Sequence, residues 1–185
     1  MCTFLSAIVM KNGDVLCDPE HTDSHEDLLA KHNIRDGLAQ QGKFARVEFI
    51  PPKDHANIED TSKWTFKVDE QVKPDWLDEE RARSSLAARV KRMFVQDKRS
   101  ILLGGCWILG DGADVAKVRN ARIYGMYGSS KVGNMQDSSK VGVMCDSSKV
   151  GEMYGSSKVG EMCDSSKVEW MYGSSKVSTW LLWSA

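Results

Sequence analysis

The chain offers no catalytic signature that spacing alone reveals. It has no HExxH, no CxxC pair, no phosphate-cradling glycine loop and no evident nucleophile–base set. No apolar run approaches the ~20 residues of a membrane-spanning helix. The apolar opening, Met1 to Met10, has no basic residue before it and no small-residue cleavage site, so a secretory leader is not expected. Net charge is nearly absent as well. Lys plus Arg total 25 against 26 Asp plus Glu, which argues neither for nor against an anionic partner. Five cysteines (Cys2, Cys17, Cys106, Cys145, Cys163) are an odd number in a chain with ample core, favouring reduced thiols in a cytoplasm over a disulfide framework.

What the chain has is repetition. Tyr127 to Trp180 reads YGSSKVGNM, QDSSKVGVM, CDSSKVGEM, YGSSKVGEM, CDSSKVEWM, YGSSKVSTW, six nine-residue units without insertion or deletion. A fixed period means that each unit does the same structural job. Degenerate forerunners, DGADVAKV from Asp111 and RNARIYGM to Met126, extend the pattern to about eight units beginning near Gly110. Nine residues are too few for a full coil around a core, so two units form one 18-residue coil with two flat sheets. The second Ser, the Val and, past the Gly corner, the Met point inward; the first Ser and the Lys point out. Tyr127, Cys145 and Cys163 then stack on one side, and Gln136, Tyr154 and Tyr172 on the other. The cysteines become neighbours with no bond required. A disordered tail is suggested only by Gly, Ser and Lys content. A helical repeat is opposed by the recurrent Gly and by a period that is no multiple of 3.6.

The amino-terminal part reads as hairpin, helix, strands, long helix and strand. Asn12-Gly13 between apolar runs signals the hairpin. Asp23 or Ser24 caps a short helix ending near Asn33. Phe44–Ile50 and Lys63–Val68 alternate as strands. A helix spans about Leu77 to Val95, with Leu86, Val90, Met93 and Phe94 as its apolar stripe. Ser100 to Leu109 reads as one buried strand. The expected architecture is an α+β amino-terminal domain (1–109) followed by a small two-sided β-solenoid of nine-residue repeats (110–185) with a Trp/Leu-rich carboxyl-terminal cap.

Candidate chemistry is sparse. The six ladder lysines from Lys131 to Lys176 are matched by six carboxylates, so nucleic acid is not an expected partner, and ice binding less so. Tyr127, Tyr154 and Tyr172 with Lys131, Lys149 and Lys167 mark the candidate binding surface. Trp170, Trp180, Leu181, Leu182 and Trp183 suggest a cap or a homodimer seam. His21 and His25 among acidic residues have i,i+4 spacing, but Pro19 and the cap leave His21 outside the helix; a solvated helix start is the simpler reading. Cys2, beside the initiator Met, has the position of an amino-terminal nucleophile, but about 105 residues leave little room for the sandwich such enzymes use. Seven basic residues between Arg81 and Arg99 form the one locally basic patch. No cofactor or metal is expected.

The segments DSHEDLLAKHNI, FARVEFIPP, KWTFKVDEQVKPDW and the tandem SSKVGEM units resemble uncharacterised proteins of bacteriophages and gut bacteria, in which a similar module precedes SSKV-type repeats. The resemblance covers nearly the whole chain and implies a prokaryotic or phage setting; it supplies no activity. The expected function is therefore a non-enzymatic protein-binding accessory factor, in a phage setting one that blunts a host defence component. The alternative is a small enzyme or metal-binding protein centred on Cys2 or the His21/His25 cluster.

Overall fold

The Asn12-Gly13 turn forms the hairpin that the sequence signals. Gly13 adopts φ 90°, and strands β1 (Leu5–Met10) and β2 (Val15–Leu16) pair antiparallel with Ile8 opposite Leu16. The structure is a computed structural model that describes residues 5–36, 42–53 and 55–180, with only the backbone of residue 180. Its two compact units are Met1–Arg92 and Met93–Ala185.

In the first unit, helix α1 (His25–Lys31) begins where Ser24 accepts the Asp27 N–H, and it gives way to Asn33 in the left-handed region. Strand β3 (Phe44–Ile50) pairs with β1, and β4 (Thr65–Val68) with β3, completing an antiparallel sheet in the order β2-β1-β3-β4. Leu28 and Leu29 pack with Ile8 and Phe44 against this sheet. Residues 61–63 form a 3-10 turn rather than strand, which delivers the buried Trp64 against Phe49 with its indole N–H on the Ile58 carbonyl. Helix α2 (Glu79–Met93) buries Ala82, Leu86, Val90 and Met93, as its spacing predicts. Phe94 leaves the stripe. It begins strand β5 (Phe94–Val95).

The second unit is the two-sided solenoid. Strands β6 (Lys98–Leu103), β8 (Asp114–Arg119), β10 (Lys131–Gln136), β12 (Lys149–Met153) and β14 (Lys167–Met171) form one parallel sheet. The other holds β5, β7 (Cys106–Leu109), β9 (Arg122–Met126), β11 (Lys140–Met144), β13 (Lys158–Met162) and β15 (Lys176–Trp180). The coil thus starts upstream of Gly110. The run Ser100 to Leu109 is two coil strands, not one buried strand, because Gly104 and Gly105, both at positive φ, turn the chain between them. Leu102 is buried while its neighbours Ile101 and Leu103 face out, 44% and 68% exposed.

Register confirms the 18-residue coil. Lys131 pairs with Lys149 and Lys149 with Lys167; Lys140 pairs with Lys158 and Lys158 with Lys176. Val132, Val141, Val150 and Val159 and Met135, Met144, Met153 and Met162 fill the core at no more than 2% exposure. Each turn needs positive φ at its first central residue, which explains why the units alternate only between Gly and Asp there: Gly128, Asp137, Asp146, Gly155 and Asp164 all adopt it. The carboxylates do a second job. Asp146 accepts the Gly128 N–H, and Asp164 accepts the Asp146 N–H, tying each turn to the next.

The inward serines line the core edge. Ser130, Ser148, Ser157 and Ser166 have buried hydroxyls without a partner, whereas the Ser139 hydroxyl donates to the Gln136 carbonyl at 2.7 Å. The same carbonyl position exists in every turn, and smallness rather than hydrogen bonding is the requirement. Ser148→Ala is therefore expected to change stability by less than about 1 kcal/mol, while Ser148→Val, which overfills the edge, costs about 2 kcal/mol in thermal unfolding.

Candidate functional site

The amino-terminal candidates do not converge. His21 bonds Asp18 through Nδ1 at 2.9 Å, on a carboxylate that Lys31 also holds. Burial raises the Asp18 pKa, but the Lys31 and His21 hydrogen bonds outweigh it and leave the group below the usual range. His25 is buried 22 residues away from its partner, with Nε2 at 3.0 Å from the Val47 carbonyl, and Nδ1 lies 3.7 Å from Asp69. One histidine binds the buried Asp18 carboxylate beside Lys31, and the other belongs to the helix–sheet junction. Cys2 lies outside the described residues. Cys17 is no activated thiol, since burial pushes its pKa up against the opposing pull of Arg89.

The basic segment is partly structural. Arg83 donates to the Ser62 and Trp64 carbonyls at 2.8 and 2.7 Å, and the Arg81 guanidinium lies over Gly13. A groove of 680 Å³ lined by Phe44, Arg46, Val72 and Lys73 has its cations matched by carboxylates: Arg46 by Asp36 and Glu70, Lys73 by Glu79.

In the solenoid, Tyr127, Cys145 and Cys163 occupy one turn column, their N–H groups bonded to Leu109, Met126 and Met144. Tyr127 is not a surface residue. It is 4% exposed, its ring occupies the space beside Gly125, and burial pushes its hydroxyl pKa up. The signal for this was present: RIYGM places glycine where the other units of that sheet carry Val143 and Glu161.

Cys145 and Cys163 are joined in a disulfide with Cα atoms 4.9 Å apart, so the expectation of reduced thiols is corrected at this pair. Their separation of 18 residues, one full coil, stacks them on successive rungs within bonding reach. With Asp164 they are the one group of three potential metal ligands among the described residues, but the two sulfurs are bonded to each other and Asp164 accepts the Asp146 N–H. Cys17 and Cys106 stand outside any disulfide.

The opposite column carries the exposed surface. Tyr154 and Tyr172 stack with centroids 5.0 Å apart and planes 11° from parallel, and the Tyr154 hydroxyl donates to Glu152 at 2.7 Å. Beside them Trp170, Met171 and Tyr172 are 61%, 43% and 45% exposed. Trp170 stands in the column of Asn134 and Glu152. The repeat pattern places Met171 inside with the other methionines; it opens because β14 is the edge strand of its sheet among the described residues. Lys131, Lys149 and Lys167 line this sheet, exposed, with Lys167 Nζ 3.6 Å from Glu169. Trp180 is placed only by its backbone, opposite Met162, and Leu181, Leu182 and Trp183 lie outside the described residues. No helix among the described residues is long and apolar enough to cross a membrane. Comparison with protein families, curated proteins and solved structures finds no match for the chain.

Proposed function

We propose that this protein acts by binding other proteins rather than by catalysis, using the solenoid as a stiff scaffold and its terminal rung as the contact surface. One observation carries the reading: Trp170, Met171 and Tyr172 form a contiguous exposed patch at a strand edge whose equivalents one coil earlier are Glu152, a buried Met153 and Tyr154. Trp and Tyr dominate the energetics of protein interfaces because they desolvate a large area at low entropic cost. The serine and lysine face of the remaining rungs suits a soluble spacer.

The reading is tested by capture from bacterial lysate with the full chain and with Trp170→Ala/Tyr172→Ala. Loss of about tenfold or more of a specific captured protein in the variant is expected. Equal capture by both would move recognition away from the terminal rung.

A further inference from the structure

We propose that the occupant of the terminal edge is a second copy of this chain, paired through β14 about a two-fold axis at Val168; this rests on the terminal rung being a binding surface. The backbone supplies the first argument. The Lys167 N–H donates toward the preceding rung, to the Ser148 carbonyl. Peptide groups alternate sides along a strand, so the N–H and C=O of Val168 face the open side. Two such strands related by a two-fold axis run antiparallel. Centred at Val168, they exchange both hydrogen bonds between the paired valines.

The side chains fit the same register. Lys167 of one copy falls opposite Glu169 of the other, and Glu169 opposite Lys167, in the close, non-hydrogen-bonded positions flanking the axis. Both are exposed. Glu169 is itself a departure from the repeat, since the same position holds Gly133 and Gly151 in the coils before it. Val168, whose equivalents Val132 and Val150 are 2% and 0% exposed, gains the rung that closes its column.

The competing arrangement is head to tail, with β14 laid on β6 of another copy in the repeat's own parallel register. That register is electrostatically poor. The column running down from Lys167 through Lys149 and Lys131 passes Asp114 and ends at Lys98 on β6, so head-to-tail stacking would add Lys167 on Lys98 to the lysine contacts the coils already make and would bring Arg99 onto Val168. Antiparallel pairing about Val168 cancels the charges that head-to-tail stacking adds up.

The experiment is a charge swap read by light scattering and analytical ultracentrifugation. The wild-type chain is expected at twice the 20.6 kDa of one copy at micromolar concentration. Lys167→Glu alone sets carboxylate against carboxylate across the axis, and Glu169→Lys alone sets ammonium against ammonium; each is expected to weaken dimerisation by roughly tenfold or more. Mixed together, the two variants recover the dimer as a heterodimer, because every flanking pair is again opposite in sign. Loss of the Lys167–Glu169 contact within one chain cannot produce that recovery. Circular dichroism of each variant matching that of the wild type excludes a folding defect, since loss of dimerisation by itself lowers the melting temperature. A monomeric wild type that still captures a partner through Trp170 and Tyr172 overturns the dimer and leaves the binding reading standing. A monomer that captures nothing overturns both. Open-ended polymers, or single variants as dimeric as wild type, overturn the Val168 axis.

Discussion

Gly142→Ala is expected to lower the stability of the solenoid by about 3 kcal/mol, a fall of roughly 15 °C in its melting temperature. A Cβ on Gly142 would lie 2.4 Å from the Tyr124 carbonyl oxygen of the preceding coil. The obstacle is backbone, part of the strand ladder, and it cannot swing aside as a side-chain tip would. Gly133, Gly151 and Gly160 face the same restriction, with carbonyl oxygens at 2.7, 2.7 and 2.5 Å. Elsewhere the same substitution tends to stabilise by about 0.4–1 kcal/mol, because alanine restricts the unfolded chain. Here the contact reverses the sign. A solenoid also transmits the damage: each coil is held mainly by its two neighbours, so a strained step divides the stack. Thermal unfolding followed by circular dichroism, with Ser147→Ala as an exposed control, measures the effect. A Gly142→Ala protein melting within a few degrees of the control would show that the coils yield at this corner.

The glycine corner also shows how far the sequence could be read. Exact repetition of nine residues made the coil, its two faces and its columns legible, because alternation decides what is buried once the strand is placed. Ser148 and Val150 point in and Lys149 points out as alternation requires, and the corner at Gly151 returns Met153 to the inside. The upstream coils were less legible, since their apolar residues do not repeat. SILLGGCWIL reads as one buried strand, and only the register of β6 and β7 against β8 and β9 shows two strands around a Gly-Gly turn. For the candidate surface, the tryptophan-rich last units were visible, but Met171 and Tyr127 each took the side that repetition alone would not assign. Met171 is exposed by the edge position of its strand, and Tyr127 is buried by the glycine two residues before it. Both are effects of a neighbour, which a unit-by-unit reading does not contain.

Reduction of Cys145–Cys163, or the double substitution Cys145→Ser/Cys163→Ser, is expected to cost the solenoid about 3 kcal/mol through the added freedom of the unfolded chain. The bond closes a loop with a sequence separation of 18, one full coil, and therefore holds two successive rungs in register in the unfolded ensemble as well as in the fold. The folded column does not depend on it. The Cys145 N–H bonds the Met126 carbonyl and the Cys163 N–H the Met144 carbonyl, both backbone contacts that serine substitution leaves intact. Reduced protein should thus keep its secondary structure and melt cooperatively at a lower temperature. Reductant should lower the melting temperature of the wild type to that of the double variant and leave the variant unchanged. Alkylation in denaturant should count two more reactive thiols after reduction than before. If reductant shifts the wild type and the double variant equally, the rungs are registered by the turn carboxylates and the strand ladder alone. The cysteine column would then stabilise no more than the stacked Tyr154 and Tyr172 do on the other side.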